Sequence, residues 1–325
     1  MQEKRRGKVS FVVPCYNEEA AIPIYYKTMN SLLAGGAVGS LLYEFVFVDD
    51  GSTDGTLQVL ERLQTDDENV HYISFSRNFG KEAALLAGMA NSAGNYVVTM
   101  DVDLQDPPEL ITQMYQAVVK DGYDCAAARR VNRKGEGRVR SFFSNSFYKV
   151  MNNLADVHIA SGARDYRFMR RSMVNAVLSL GEYNRFSKGI FNWVGFHCKW
   201  IEYENVERSA GKSKWSLFKL FRYAKDGIIA FSTKLLSIAS TLGITFCIIA
   251  FLALIFIVVR AAMYGDPVAG WPSMMCVIVL LGGLQLLCIG ILGAYLSKVY
   301  LETKRRPIYI IREQDNRLTD DDWQD

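Results

Sequence analysis

The sequence predicts an α/β domain built on a parallel sheet, followed by two apolar helices. Three observations predict it. Short β-branched and aromatic runs alternate with helix-length segments over the first hundred residues. Each of these runs ends in a cluster of polar residues, and beyond Leu235 the chain carries two long stretches without a charge.

The first strand is expected over Lys8–Pro14 (KVSFVVP), followed after CYNEEAAIP by a helix through Leu33 that Ala34-Gly35-Gly36 ends. The second, Tyr43–Val48, ends at Asp49-Asp50-Gly51-Ser52, where Thr53 or Asp54 is placed to cap a helix to about Gln64. The third, Val70–Phe75, ends at SRNFGK and leads into a small-residue helix over Glu82–Ala93. The fourth, Tyr96–Met100, runs into Asp101 and Asp103. Asp106 with Pro107-Pro108 is expected to cap the helix whose first turn holds Glu109. This alternation gives a parallel sheet with helices on both faces. Ligands of such sheets sit beyond the carboxyl ends of the strands, so the four polar clusters share one edge.

The chain has 325 residues, 50% apolar and 22% charged, an ordinary globular balance. A net charge of +3 gives no reason to expect nucleic acid as a partner. The uncharged stretches run from Leu235 to Val259 and from Pro267 to Ser297, the second with its apolar core at Met274–Leu296. Each is long enough to cross a hydrocarbon layer of ~30 Å. Lys212, Lys214, Lys219, Arg222, Lys225 and Lys234 precede the first stretch, and Lys298, Lys304, Arg305 and Arg306 follow the second. The connection offers only Arg260, which puts both termini in the cytoplasm. Lys214–Phe231 reads as an amphipathic helix lying in the membrane interface. The expected organisation is a cytoplasmic domain over 1–211, an interfacial helix over 212–232, a transmembrane hairpin over 233–298 and a cytoplasmic tail over 299–325. MQEKRRGK has no signal-peptide character. Gly282, Gly283, Gly290, Gly293 and Ala294 permit close helix packing, within the hairpin or in a homo-oligomer. The six cysteines show no paired spacing and read as free thiols, and His71, His158 and His197 read as structural.

No GxGxxG follows the first strand and no GxxxxGK[ST] occurs, which argues against a dinucleotide fold or a P-loop. The sheet edge is acidic instead. A diphosphate would be repelled by Asp50, Asp101 and Asp103 unless a divalent cation intervened, and carboxylates are the preferred ligands of Mg²⁺ or Mn²⁺. Asp101 and Asp103 therefore suit a metal that holds a pyrophosphate.

The segments VVPCYNEE, FVDDGSTDGT, SRNFGKEAALLAGM, MDVDLQDPPE, GARDYRFMRR and ERSAGKSKWS, with the two apolar stretches, carry a family resemblance. The chain resembles the family 2 glycosyltransferases, and within them the polyprenyl-phosphate glycosyltransferases related to dolichyl-phosphate mannose synthase. The resemblance implies a GT-A (Rossmann-like) cytoplasmic domain. It places Pro14, Tyr16, Glu18 and Asp50 on the base and ribose of a nucleotide-sugar, with Lys81 near that nucleotide. Asp101 and Asp103 become the DxD that binds metal and diphosphate, and Gln105 completes the metal shell. Val102 stands where the family often has Ala. Asp165 matches the acidic residue near the acceptor that is often assigned as catalytic base, and Arg129 and Arg130 match basic positions facing the acceptor phosphate. Arg208, Lys212 and Lys214 match a basic segment closing over the donor phosphates.

The activity implied is inverting transfer of a sugar, glucose or N-acetylglucosamine, from a UDP-sugar to undecaprenyl phosphate at the bacterial plasma (inner) membrane. The product would pass to a flippase and a membrane glycosyltransferase for cell-envelope glycan modification. A processive polysaccharide synthase is an alternative, against which stand the two spans and the lack of a QxxRW motif. A non-catalytic nucleotide-sugar-binding scaffold is another, against which stand Asp101, Asp103, Asp165 and GKSKW. A phosphate monoester is already ionised at neutral pH. Asp165 is therefore expected to orient the acceptor or its neighbouring arginines more than to act as a base. The cluster Arg129, Arg130, Arg133, Arg138 and Arg140 suits neutralising an anion.

Overall fold

The computed structural model describes residues 7–132, 162–204, 234–264 and 270–315. Arg133, Arg138, Arg140, Arg208, Lys212, Lys214 and the expected interfacial helix lie outside the described residues. The chain divides into two compact units. One comprises 1–149, 157–216 and 306–325, and the other 150–156 and 217–305.

The first unit is organised by an eight-stranded sheet. In chain order it contains β1 (Lys8–Cys15), α1 (Ala21–Ala34), β2 (Leu42–Asp49), α2 (Thr56–Asp66), β3 (Val70–Phe75), α3 (Lys81–Ala90), β4 (Tyr96–Thr99) and α4 (Leu110–Tyr115). A π-helical turn, Gln116–Lys120, extends α4. Then follow β5 (Cys125–Asn132), β6 (Ala163–Arg170), α5 (Arg171–Leu178), α6 (Ser187–Trp193), β7 (Cys198–Glu204) and β8 (Ile311–Gln314). The spatial order is β7-β5-β6-β4-β1-β2-β3-β8. β4, β1, β2 and β3 are mutually parallel, while β6 and β8 join antiparallel on either side.

The four expected strands form because their β-branched and aromatic residues are covered on both faces. Phe11, Val13, Phe45 and Phe47 pack with Tyr25, Met29, Leu60 and Ile111 of α1, α2 and α4 on one face. Val46, Val48, Ile73 and Phe75 pack with Ala83, Ala84 and Ala87 of α3 on the other. The small residues of α3 let it lie close against the sheet.

Several expectations are corrected. The helix expected over Glu82–Ala93 is α3, which starts at Lys81 and stops at Ala90. Gly55, not Thr53 or Asp54, occupies the cap position of α2, although the Asp54 carboxylate accepts from the Thr56 N–H at 3.0 Å. Asp106 does not cap α4, where Glu109 holds that position with no side-chain hydrogen bond. The Asp106 carboxylate is buried and bound by Arg164 Nε at 2.8 Å and by the Tyr203 hydroxyl. A guanidinium and a phenol hydroxyl in the interior outcompete a helix end.

The expected tail over 299–325 is also corrected. Residues to Thr303 belong to a helix, and the following segment enters the sheet as β8, antiparallel to β3. Ile308, Tyr309 and Ile311 pack on the α3-side core, with the Tyr309 ring stacked 5.0 Å from Phe75. Asp315 meets His71 Nδ1 at 2.8 Å and accepts from Gln64 at 3.2 Å. The driving force is an otherwise open β3 edge, whose unpaired backbone groups and apolar side chains need a cover.

The second unit contains α7 (Lys234–Tyr264) and α8 (Trp271–Thr303), which touch each other. Ile248, Phe251, Leu252 and Phe256 of α7 and Leu286, Ile289, Leu292 and Leu296 of α8 are exposed. Helices apolar over their outer surface call for a non-aqueous surrounding. Among the described residues one helix, Leu280–Thr303 within α8, is long and apolar enough to cross a membrane, with mean hydropathy 1.8. The apolar stretch of α7, Gly243–Ala253, is shorter. Cys15 and Cys125 are buried thiols, and Cys198 and Cys288 are half-buried thiols.

Replacing Tyr309 by Ala removes the stack on Phe75 and part of the cover of β3. The expected loss is about 1–2 kcal/mol. It is read as a lower thermal midpoint of the detergent-solubilised chain, with the α-helical circular dichroism unchanged at low temperature.

Candidate active site

The site lies at the carboxyl edge of the parallel strands, where side-chain hydrogen bonds tie together the loops after β1, β2 and β3. Asn17, in the left-handed region at φ 56°, follows β1. Its N–H donates to Ser52 Oγ at 2.9 Å, and its side-chain oxygen accepts from the Thr53 N–H at 2.8 Å. The β1 and β2 loops are thereby clipped together. Asp49 accepts from the Ser52 N–H and from the Ser74 hydroxyl, holding the β2 and β3 ends. Gly51 at φ 66° lies against Arg77, where a Cβ would come within 2.4 Å of the Arg77 carbonyl carbon.

Asp50 is buried and accepts from the amides of Phe79 (2.6 Å) and Gly80 (2.9 Å). Its carboxylate therefore shapes the β3–α3 loop. Burial raises its pKa against the pull of those two amides. Gly80, at φ 99°, reverses the chain so that Lys81 opens α3 pointing into the site. Tyr16 is exposed and Glu18 half-buried on the same edge. Pro14, also half-buried, lies one residue before the end of β1.

After β4, Asp101 leads into a turn over Val102 and Asp103. Val102 is buried in the core, while Asp101 is half-buried and Asp103 exposed. The turn then places Leu104 at φ 52°, a conformation costly for a branched side chain. The Gln105 N–H donates to Asp103 Oδ1 at 3.2 Å. Acid crowding is marked here. Burial, then Asp101 and Asp106, raise the pKa of Asp103, and burial, then Asp103, Asp54 and Asp101, raise that of Glu18.

Asp165 reaches this edge through a bulge. Ala127 pairs with Arg167, so a regular antiparallel register would set Arg129 against Asp165, but Arg129 faces Ala163. The two extra residues on β6 re-aim Asp165, and Thr99 Oγ1 donates to its carbonyl at 2.5 Å. The Lys81 ammonium lies 2.6 Å from Asp101 Oδ1 and 2.8 Å from Asp165 Oδ2. Burial opposes ionisation of Asp165, but Lys81, Lys188 and Arg167 outweigh it and hold the carboxyl well below the usual range. Lys81 is held above the usual lysine range because the two carboxylates outweigh its own burial.

The structure thus joins Lys81, Asp101 and Asp165 directly and sets Glu18 and Asp103 within their field. Arg129 lies on β5 with its guanidinium 3.5 Å from Glu202 of β7, and the Arg130 N–H donates to the Gly162 carbonyl at 3.0 Å. Three contributors escape the sequence. Lys188 and Arg167 bring positive charge to Asp165 from α6 and β6. Arg167 is fully buried between Phe191 (4.6 Å) and Trp200 (5.4 Å), and its guanidinium nitrogens have no hydrogen-bond partner among the described residues. Glu82 accepts from the N–H and hydroxyl of Ser187, which fixes α6 beside α3. The only available signal was the basic SKGIF segment and the spacing RDYR.

An acidic strand end, a bulged aspartate and a bridging lysine on one edge of a mixed sheet coincide with a sequence match. The pattern of glycosyl transferase family 2 covers residues 10–178. The chain belongs to that family. This glycosyltransferase is 41% identical to CsbB of Bacillus subtilis (strain 168) over 95% of its own length and 92% of that protein. It is 40% identical to the bactoprenol glucosyl transferase of Shigella phage SfX over 94% of this chain and 99% of that one. The prophage bactoprenol glucosyl transferase homolog of Escherichia coli (strain K12) is 39% identical over 94% and 98% respectively. The glycosyltransferase fold is the GT-A-like mixed sheet described above.

Asp106→Ala leaves Arg164 without its buried partner and frees the Tyr203 hydroxyl. The expected cost is about 2–3 kcal/mol, measured by thermal unfolding. The Lys81–Asp165 pair has a pH signature. Its contribution is full above the ordinary carboxylate pKa of ~3.9 and below the ordinary lysine pKa of ~10.4. It is lost as pH falls through the depressed Asp165 value or rises through the raised Lys81 value. The Lys81 side chain is 41% exposed, so solvent screening limits the effect to about 0.5–1 kcal/mol. The stability gap between the parent and Lys81→Met is expected to be flat from about pH 5 to 9 and to close in acid.

Proposed function

We propose that this glycosyltransferase moves a glucosyl group from UDP-glucose to undecaprenyl phosphate, with inversion at the anomeric carbon. The observation that carries the reading is the identity of 39–40%, over 94% of this chain, to proteins named for glucosyl transfer to bactoprenol. That span includes both units, not the sheet domain alone.

The donor's base and ribose lie by Tyr16, Glu18 and Pro14, and its diphosphate by Asp101 and Asp103. These two carboxylates fit a Mg²⁺ or Mn²⁺ ion. Their chemistry is that of hard oxygen ligands, and their mutual repulsion is what a divalent cation relieves. Among the described residues no group of three or more histidine, cysteine, aspartate or glutamate side chains could hold a metal ion. Asp101 and Asp103 would therefore hold it together with the Gln105 side chain and the donor's phosphates. When bound, the ion offsets the charge developing on the departing UDP.

The acceptor's phosphate oxygen forms the new bond to the anomeric carbon as the bond to UDP breaks, from the opposite face. It needs little proton removal, since a phosphate monoester carries about −1.5 to −2 charge at pH 7. A carboxyl held as far down as Asp165 is a weak base. Asp165 is better suited to positioning Lys81, with Arg129 and Arg130 on the acceptor side. The family resemblance assigns Arg208, Lys212 and Lys214 to the donor phosphates, and all three lie outside the described residues.

α7 and α8 cross the plasma membrane as a hairpin with the sheet unit in the cytoplasm. The route of the chain supports this, because a chain that leaves the sheet after β7 and rejoins it at β8 crosses an even number of times. The apolar outer surfaces of both helices support it as well.

The test is incubation of the detergent-solubilised chain with labelled nucleotide-sugars, undecaprenyl phosphate and Mn²⁺, followed by organic extraction. Label from UDP-glucose is expected in the lipid phase and lost with chelator. Asp101→Asn or Asp103→Asn is expected to lower turnover by about 10²–10³. Transfer from UDP-N-acetylglucosamine alone would overturn the donor assignment, and label remaining in water would overturn the acceptor.

A further inference from the structure

We infer that the Lys81 ammonium is an internal stand-in for the divalent cation, displaced from Asp101 when metal binds and then free to receive the acceptor phosphate beside Asp165. The inference rests on the reading of Asp101 as a metal ligand and deepens it into an order of binding.

The geometry gives the reason. One ammonium touches both Asp101 and Asp165, at 2.6 and 2.8 Å. Mg²⁺ takes a carboxylate oxygen at about 2.0–2.1 Å, so metal and ammonium compete for the same lone pairs and repel one another. The backbone of Lys81 is not free to yield, because Asp50 holds the Phe79 and Gly80 amides immediately before it. The side chain is free to yield. It is 41% exposed and turns on four single bonds.

Release leaves Lys81 on the Asp165 side, where charge does not balance. Lys188 and Arg167 already act on the single Asp165 carboxylate, and Arg167 is a buried cation without a hydrogen-bond partner among the described residues. Adding Lys81 makes three cations about Asp165 and the buried Glu82, whose hydrogen bonds from Ser187 do not cancel its charge, and leaves one positive charge in excess. A phosphate group completes that set. Asp106 does not supply the missing charge, because Arg164 engages it. With no metal, Lys81 is shared and the acceptor side is short of one cation. Metal with donor therefore precedes acceptor.

The experiment measures Mn²⁺ binding by electron paramagnetic resonance on the full chain in detergent, without donor or acceptor. Lys81→Met is expected to bind Mn²⁺ about three- to tenfold more tightly than the parent, since its competitor is gone. Lys81→Arg keeps a cation and is expected to stay at the parent value. Lys81→Gln serves as the neutral variant should Lys81→Met not fold. Unchanged or weaker Mn²⁺ binding in the neutral variants, with binding abolished by Asp101→Asn, would overturn the stand-in and leave the metal site standing. Mn²⁺ binding that survives Asp101→Asn would overturn the metal reading itself. A second readout is the affinity for a short-chain prenyl phosphate. Mn²⁺ with UDP is expected to raise it severalfold in the parent and not in Lys81→Met, and equal coupling in both would overturn the proposed order.

Discussion

Two carboxylates from different strands, Asp101 after β4 and Asp165 in the bulge of β6, stand close enough to share the Lys81 ammonium. Carboxylates at that separation repel unless a cation lies between them. Much of the local backbone serves this contact. Asp50 and Gly80 set the turn that delivers Lys81, the buried Val102 anchors the turn that follows Asp101, and Thr99 pins the bulge. Each of these features is strained, buried or irregular when viewed alone. Together they set the spacing of three charges.

The parallel strands were legible because each is a short β-branched run covered on both faces, and such runs differ sharply from the loops between them. Asp101 and Asp103 were legible for a related reason: two acids at the end of an apolar strand have few structural uses. Asp106 looked like a cap because Asp-Pro-Pro has local meaning, whereas its partners Arg164 and Tyr203 come from β6 and β7. The bulge at Asp165 was illegible. It exists in the register between β5 and β6, and no local pattern announces a register shift. Arg167 and Lys188 were missed on the same ground, since their meaning depends on what α6 packs against.

The helical unit shows a different limit. Composition made two apolar stretches plain, while length and apolarity together single out Leu280–Thr303. The β8 strand hid behind charged residues, KRRPIYIIREQD, that read as a solvated tail. Ile311 is the single apolar residue of the strand, so no alternation marks it. Four residues of strand gave too short a pattern to detect, and their partner β3 lies more than two hundred positions earlier.

That distance has a bearing on biosynthesis. The outer edge of β3 stays open while the ribosome makes some 235 further residues, the two long helices among them. A nascent chain halted before residue 311 would carry the whole acidic edge and still lack the strand that seals Ile73 and Phe75. Maturation of the sheet is in this way timed to follow synthesis of the helices, and an incompletely made chain presents a sticky border for quality control to recognise.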